Sequence, residues 1–213
     1  MENNNSIKVN KKKETIFQDI IVMLLITVFS GFLLGYVNDI TKDPISAAVV
    51  KEKDESYQKM FPTADDFQEE ILASDVQKEI KDILKVNNFS GGSVEGLVTV
   101  KENNEIKGYI ITASSSNAYS GDITISLGLD NEGTIIGLDY ITIKETVGLG
   151  MNATEDSFKA QFVGKEVDYI KYVKGTTSNN DEISAITSAT VTTNAVVEAV
   201  NSGLLYFDQY IAN

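Results

Sequence analysis

The sequence predicts an α+β fold. An N-terminal transmembrane helix is followed by a helical stalk, then by an antiparallel or mixed sheet with flanking helices and a C-terminal helix. Three observations predict it. An uncharged apolar run occurs early, period-two alternation dominates the middle of the chain, and a 3.6-residue pattern returns near its end.

Residues 20–37 read IIVMLLITVFSGFLLGYV, without a charge. At 1.5 Å per residue the run covers roughly 27 Å, close to the hydrocarbon thickness of a bilayer. The competing readings are a buried core helix and a cleaved signal peptide. Against the peptide, Asn38, Asp39, Thr41, Lys42 and Asp43 stand where small residues at a cleavage site belong. A retained helix in contact with membrane lipid is therefore expected. Lys8, Lys11, Lys12 and Lys13 precede it, while Asp39 and Asp43 surround Lys42 after it. The positive-inside bias then makes 1–19 a cytoplasmic tail and places the main domain outside the cell membrane, on a single-pass anchor.

Residues 38–89 read as an extracytoplasmic stalk and helical region. Pro44 opens a stretch to Met60 that Phe61-Pro62 ends. Ser74–Leu84 begins with a capping-box pair, Ser74 and Gln77, and carries Val76, Ile80, Ile83 and Leu84 on one stripe. The turn-like 87–93 (NNFSGGS) leads into the compact domain, 90–213. There Val94–Val100 and Ile106–Ala113 are strands joined across Lys101–Glu105. Ile123, Ile125, Leu127 and Leu129 alternate with polar or small residues, predicting a strand with one wet face, and Thr134–Ile143 is its partner. A short helix over Thr154–Phe162, a strand over Val167–Val173 and a loop over Gly175–Asp181 follow. The closing helix runs from Val191 to Tyr210.

Composition excludes several chemistries. The 213 residues contain no Cys, His or Trp, and all 18 basic residues are lysine, against 31 acids. Cysteine nucleophiles, thiolate or imidazole metal ligation and a histidine base are therefore absent from this chain. Redox chemistry, if present, needs an organic cofactor. The net charge of −13 argues against nucleic acid as a partner.

Two segments could carry function. Lys144-Glu145-Thr146-Val147-Gly148-Leu149-Gly150 directly follows a strand, and its glycines let backbone approach a bulky ligand. Ser184–Thr193 places six hydroxyl side chains at the start of the last helix. They can be caps, or they can surround a phosphate held by the free N–H groups and the dipole of that helix, which would need no arginine. From the residues alone, an ordinary loop and a capped helix stand beside the ligand-binding readings.

Thr187–Thr193 (TSATVTT) resembles the S/T-G-A-T motif of the FMN-binding domain family, and Lys144–Gly150 resembles that family's K/H-E-T-P-G-L-G segment. Tyr119–Ile123 (YSGDI) is similar to its Y-G-G-x-I, and Phe158–Lys165 to its F-x-x-x-F-x-G-K. Within the family, the chain looks most like the G subunit of Rnf-type ion-translocating ferredoxin–NAD oxidoreductase complexes. The C subunit of sodium-translocating NADH–quinone reductases comes second. Ser188 stands where the motif prefers Gly, and Val147 where it prefers Pro.

The resemblance implies covalent FMN, attached by a phosphoester to Thr190. Glu145, Thr146, Gly148 and Leu149 would line the isoalloxazine, and Thr187, Ser188 and Ala189 would shape the phosphate end. It implies a Mg-dependent flavin transferase for maturation and other membrane subunits of a redox-driven pump as partners. The chain would be an electron-transfer subunit with no soluble substrate, catalytic residue or metal ligand of its own. A quinone-reductase subunit, a stand-alone extracytoplasmic flavin carrier and a non-catalytic anchored assembly module are the alternative expectations.

Overall fold

A computed structural model describes residues 3–212, with side chains from residue 16 onward. The tail expected over 1–19 lies mostly outside the described side chains, its four flanking lysines included. The chain forms two compact units, Met1–Lys51 and Glu52–Asn213.

Helix α1 spans Asn3–Met60 and carries Pro44 in its interior. The stretch from Ile45 to Met60, expected as a helical stalk, is helical, and it continues α1 without a break at Pro44. Proline removes one donor and costs about 3 kcal/mol, but a helix already propagated over several turns on both sides tolerates it. From Ile16 the helix is long and apolar enough to cross a membrane, and none of its most apolar window is buried.

The second unit is built on a five-stranded sheet in which every neighbouring pair is antiparallel: β1 (Asp66–Ile71), β2 (Gly92–Glu102), β3 (Glu105–Ser115), β4 (Ile123–Asp130) and β5 (Ile135–Thr142), in that order. Asn103 and Asn104, with φ of 53° and 66°, make the two-residue turn between β2 and β3. Their short polar side chains tolerate this left-handed backbone, and its twist matches the strands. Strand β1 was not legible in the sequence. It is an edge strand, DFQEEI, with only Phe67 shielded, so it shows no apolar alternation. Together with α2 (Ser74–Val86) it brings residues 52–89, expected as stalk and helical region, into the compact unit.

Two further expectations are corrected here. The capping box of Ser74 with Gln77 does not form. Ala73 is the N-cap, no side chain caps it, and Gln77 Nε2 donates instead to the Leu72 carbonyl at 3.0 Å, just beyond β1. The outer face of β4 is not wet. Tyr57 and Phe61, from the end of α1 and the residue after it, form a second apolar cluster with Val98, Val100 and Ile110. Met60 lies so close to the paired glycines Gly128 and Gly137 that a Cβ would come within 3.0 Å and 2.8 Å of its side chain. The polar-looking positions of β4 are thereby covered, and Ser126 is buried.

The main core fills the inner face of the sheet, between Ile111, Ala113, Ile125, Leu127 and Leu129 and helix α4 (Thr190–Tyr210). Between β5 and α4 the chain makes a 3₁₀ turn (Gly150–Thr154), the short α3 (Asp156–Lys159), and a parallel pair, β6 (Lys171–Val173) with β7 (Glu182–Ser184). The strand expected from Val167 shortens to three residues for a physical reason. Asn201 of α4 takes the backbone of Ile170 on both sides: its Oδ1 accepts from Ile170 N at 2.7 Å, and its Nδ2 donates to Ile170 O at 2.8 Å. Those groups are then lost to a ladder. Replacing Asn201 with Ala leaves a buried N–H and C=O unpaired and is expected to cost about 2–4 kcal/mol in urea unfolding.

Candidate functional site

The register pairs Ser115 with Ile123 and Thr124 with Thr142, so the loop after β3 and the loop after β5 leave the same end of the sheet. These loops carry Tyr119–Asp122 and Lys144–Gly150. They are tied by one carboxylate: Glu145 Oε1 accepts from Tyr119 N at 2.9 Å and from Ser120 N at 3.2 Å. Thr146 closes the second loop on itself, its carbonyl accepting from Leu149 N and Met151 N, both at 3.1 Å. Gly148 adopts φ +77° with open space around it, the left-handed conformation that favours glycine.

The start of α4 joins this cluster. A Cβ on the buried Gly150 would lie 2.6 Å from Glu145 Oε2 and 2.6 Å from Thr192 Oγ1. Gly150 is therefore a point of close approach between the second motif and the first turn of α4, and only a residue without a side chain fits there. The sequence offered the glycines of this motif as a place where backbone approaches a ligand and Thr192 as one of six hydroxyls; that Gly150 is the point where the loop meets Thr192 was not legible there.

Thr190 is the first residue of α4 and is half-buried. Thr187 and Ser188 before it are exposed, and Ala189 is buried. The N-cap position falls to Ala189, and no side chain caps the helix. The hydroxyl-rich segment thus leaves the helix start uncapped. Thr192 and Thr193 are both buried, and Thr193 braces the turn, donating to Ala189 O at 2.9 Å and accepting from Ile186 N at 3.1 Å. A helix of 21 residues that begins without a side-chain cap presents first-turn N–H groups and a positive dipole end. These suit a phosphate ester, and the adjoining hydroxyls add neutral donors. Around the same loops Val147 is 87% exposed, Leu149 42% and Tyr119 74%. Such apolar side chains offer a flat aromatic ring something to cover. The residues present therefore fit FMN.

Ser188 has φ +63°, so the residue standing where the motif prefers Gly holds the backbone glycine would favour. A left-handed non-glycine residue costs about 1–2 kcal/mol, and glycine adds about 0.4–1 kcal/mol of unfolded-state freedom. Ser188→Gly is expected to raise stability by about 0.5–1 kcal/mol, read as a higher urea midpoint at unchanged slope.

The segment leading into this turn is held by Glu182. Its carboxylate takes the N–H of Ser178 at 2.8 Å, the Asn179 side chain at 2.7 Å and the N–H of Asn179 at 3.2 Å. The Ser178 N–H first, then the Asn179 side chain, hold its pKa below the usual glutamate range, and Lys171 adds to this. A depressed carboxyl stabilises the fold above its unfolded pKa, and the gain is lost as pH falls through the folded value. Wild type is expected to melt above Glu182→Gln at about pH 6, with the two curves converging below about pH 4.

Residues 118–205, from the first of these loops into α4, match the FMN-binding domain family. Over 209 residues the chain is 30% identical to the G subunit of the Na⁺-translocating ferredoxin:NAD⁺ oxidoreductase complex of Acetobacterium woodii, covering 96% of each chain. It is 31% identical over 143 residues to the G subunit of the proton-translocating ferredoxin:NAD⁺ oxidoreductase complex of Clostridium ljungdahlii, covering 67% of this chain and 75% of that one. The crystal structure of the C subunit of the Na⁺-translocating NADH–quinone reductase of Parabacteroides distasonis superposes with a TM-score of 0.50 at 19% identity, over 70% of this chain and 79% of that chain, and so shares the fold. Residues 118–205 are thus of the FMN-binding domain class. Within that class the chain belongs to the G-subunit family of ion-translocating oxidoreductase complexes.

Proposed function

We propose that this chain is a membrane-anchored flavoprotein that carries electrons between other membrane subunits of an ion-translocating ferredoxin–NAD oxidoreductase complex. FMN is joined to it through a phosphoester at Thr190. The observation that carries the reading is the meeting of two loops with the uncapped start of α4, where Gly150 lies against both Glu145 and Thr192. FMN, when bound, supplies electron transfer that a chain without Cys or His lacks.

The residues of the chain hold and orient. Thr187, Ser188 and Ala189 shape the phosphate end at the helix start. Thr146, Gly148 and Leu149 line the ring side, and Glu145 fixes that loop against Tyr119 and Ser120. The attachment has a physical reason: an extracytoplasmic domain cannot recapture a dissociated cofactor, and a covalent bond prevents the loss. With no histidine to activate Thr190, a separate Mg-dependent flavin transferase makes the bond. The Thr190 Oγ–phosphorus bond forms as the pyrophosphate of FAD breaks, AMP leaves, and the hydroxyl proton passes to the transferase. Anchoring through residues 20–37 and the lysine flank before them support a position for Thr190 outside the membrane.

The test is to purify the native membrane complex and supply reduced ferredoxin or a quinol. The chain should fluoresce as a flavoprotein in a denaturing gel, and reduced ferredoxin should bleach its flavin. Colourless, non-fluorescent protein from cells that make the transferase overturns the carrier reading, and bleaching by the quinol alone assigns the chain to a quinone-reactive complex instead.

A further inference from the structure

Helix α4 carries a buried carboxylate that the site so far described does not use. Glu198 lies eight residues past Thr190, about two turns further along the helix, and is 5% exposed. Its Oε1 accepts from Gly91 N at 2.9 Å, and its Oε2 accepts from Ser115 Oγ at 2.6 Å and Asn117 Nδ2 at 2.9 Å. All three donors are neutral, and they tie the buried side chain to two places: the residue before β2, and the end of β3 with the loop that follows it. Burying a carboxylate is costly unless its oxygens are satisfied, and apolar side chains would fill the same volume at less cost. What the carboxylate does here is hold chain segments together.

The loop it holds is the one that reaches the site. Asn117 N donates to Ser115 Oγ at 3.2 Å, so Ser115 passes one hydrogen bond in and another on to Glu198. The Asn117 side chain lies over Gly91, where a Cβ would come within 2.5 Å of its Cγ. Two residues later, Tyr119 N and Ser120 N donate to Glu145, whose other oxygen crowds Gly150 and, through it, Thr192. The polar chain begins on α4 at Glu198 and returns to α4 at Thr192.

We propose that Glu198 is a positioning residue of the flavin site. By strapping Ser115 and Asn117 to α4, it fixes the Tyr119–Ser120 loop, and with it Glu145, at a set distance from the attachment point on the same helix. The inference rests on the flavin reading of that site. Glu198 touches no cofactor; it acts through the loop.

The test compares Glu198→Ala, Glu198→Gln and Asn117→Ala in the full-length protein. Asn117 is exposed and its replacement keeps the Gly91 and Ser115 bonds, so this variant folds even where Glu198→Ala does not. Without flavin, amide exchange at Tyr119 and Ser120 should be about tenfold faster in both alanine variants and near wild type in Glu198→Gln, whose oxygen can accept from Gly91 N while its NH2 donates to the turned Ser115 hydroxyl and Asn117 side-chain oxygen. After flavinylation, the flavin absorption band and midpoint potential should shift in the alanine variants and return in Glu198→Gln, which a simple loss of charge would not allow. Unchanged exchange overturns the proposal. Faster exchange with an unmoved band and potential also overturns it, leaving a purely structural strap. Failure of wild type to gain FMN mass overturns the reading of the site instead, and exchange at Tyr119 and Ser120 still decides whether the strap exists.

Discussion

Replacing Thr190 with Val is expected to abolish covalent flavin completely while leaving the fold intact. Val matches Thr in shape and branching and lacks only the hydroxyl that accepts the phosphoryl group. Position one of α4 is half-buried, so the added methyl meets little penalty, and the helix start is not capped by this side chain. The bracing of that turn belongs to Thr193, which the substitution leaves untouched. Intact mass after co-expression with a flavin transferase should show wild type heavier by FMN less one water and the variant unmodified. Their unfolding free energies from urea titration should agree within about 0.5 kcal/mol. Full modification of the variant would move the attachment to another hydroxyl.

The second large effect is expected at Gly150. An alanine Cβ there would lie 2.6 Å from Glu145 Oε2, 2.6 Å from Thr192 Oγ1 and 2.7 Å from Glu145 Cβ. The carboxylate end of Glu145 can swing away, but its Cβ moves only with the backbone, so the loop must part from α4. Overpacking of this kind costs about 1–3 kcal/mol. Gly150→Ala should therefore lower the urea midpoint and also reduce flavinylation, because the two motifs no longer meet. Gly148→Ala is the control. It has open space around it and carries only the left-handed backbone cost of about 1–2 kcal/mol. A Gly150→Ala variant as stable and as fully flavinylated as wild type would mean that close approach at Gly150 is unimportant.

What the sequence made legible follows from where period and burial agree. Strand β4 shows alternation because its apolar residues Ile125, Leu127 and Leu129 face the main core under α4, and α4 itself shows the helical period of its apolar residues. The edge strand β1 does not, since five of its six residues face solvent. The outer face of β4 looked wet because serine and glycine line it. They are there because the end of α1 comes too close for larger side chains, a reason that exists only in three dimensions. The expected capping box failed similarly: Gln77 found a carbonyl at the end of a strand that the sequence concealed.

At the site, the motif residues were legible from resemblance, whereas the ties among them were not. Glu145 was expected to line the ring, and the structure turns one of its oxygens to the backbone of Tyr119 and Ser120. Glu198 and Asn201 sit among apolar residues of a helix, and each serves a segment far away in sequence, 81 residues away for Asn117 and 31 for Ile170. Two polar side chains inside an apolar helical stripe are the signal that could have marked them. Ser188 shows the reverse case, where a departure from the motif keeps the motif's backbone.

The absence of arginine and the position of the last lysine make the decisive measurement simple. Cleavage at lysine leaves residues 175–213 as one peptide, because Lys174 is the last basic residue in the chain. Mass spectrometry of that peptide from flavinylated protein should show the added mass of FMN less one water, with fragment ions placing it on Thr190 and not on Thr187, Ser188, Thr192 or Thr193. An unmodified peptide from protein made alongside an active transferase, or the added mass on another residue, would contradict the account.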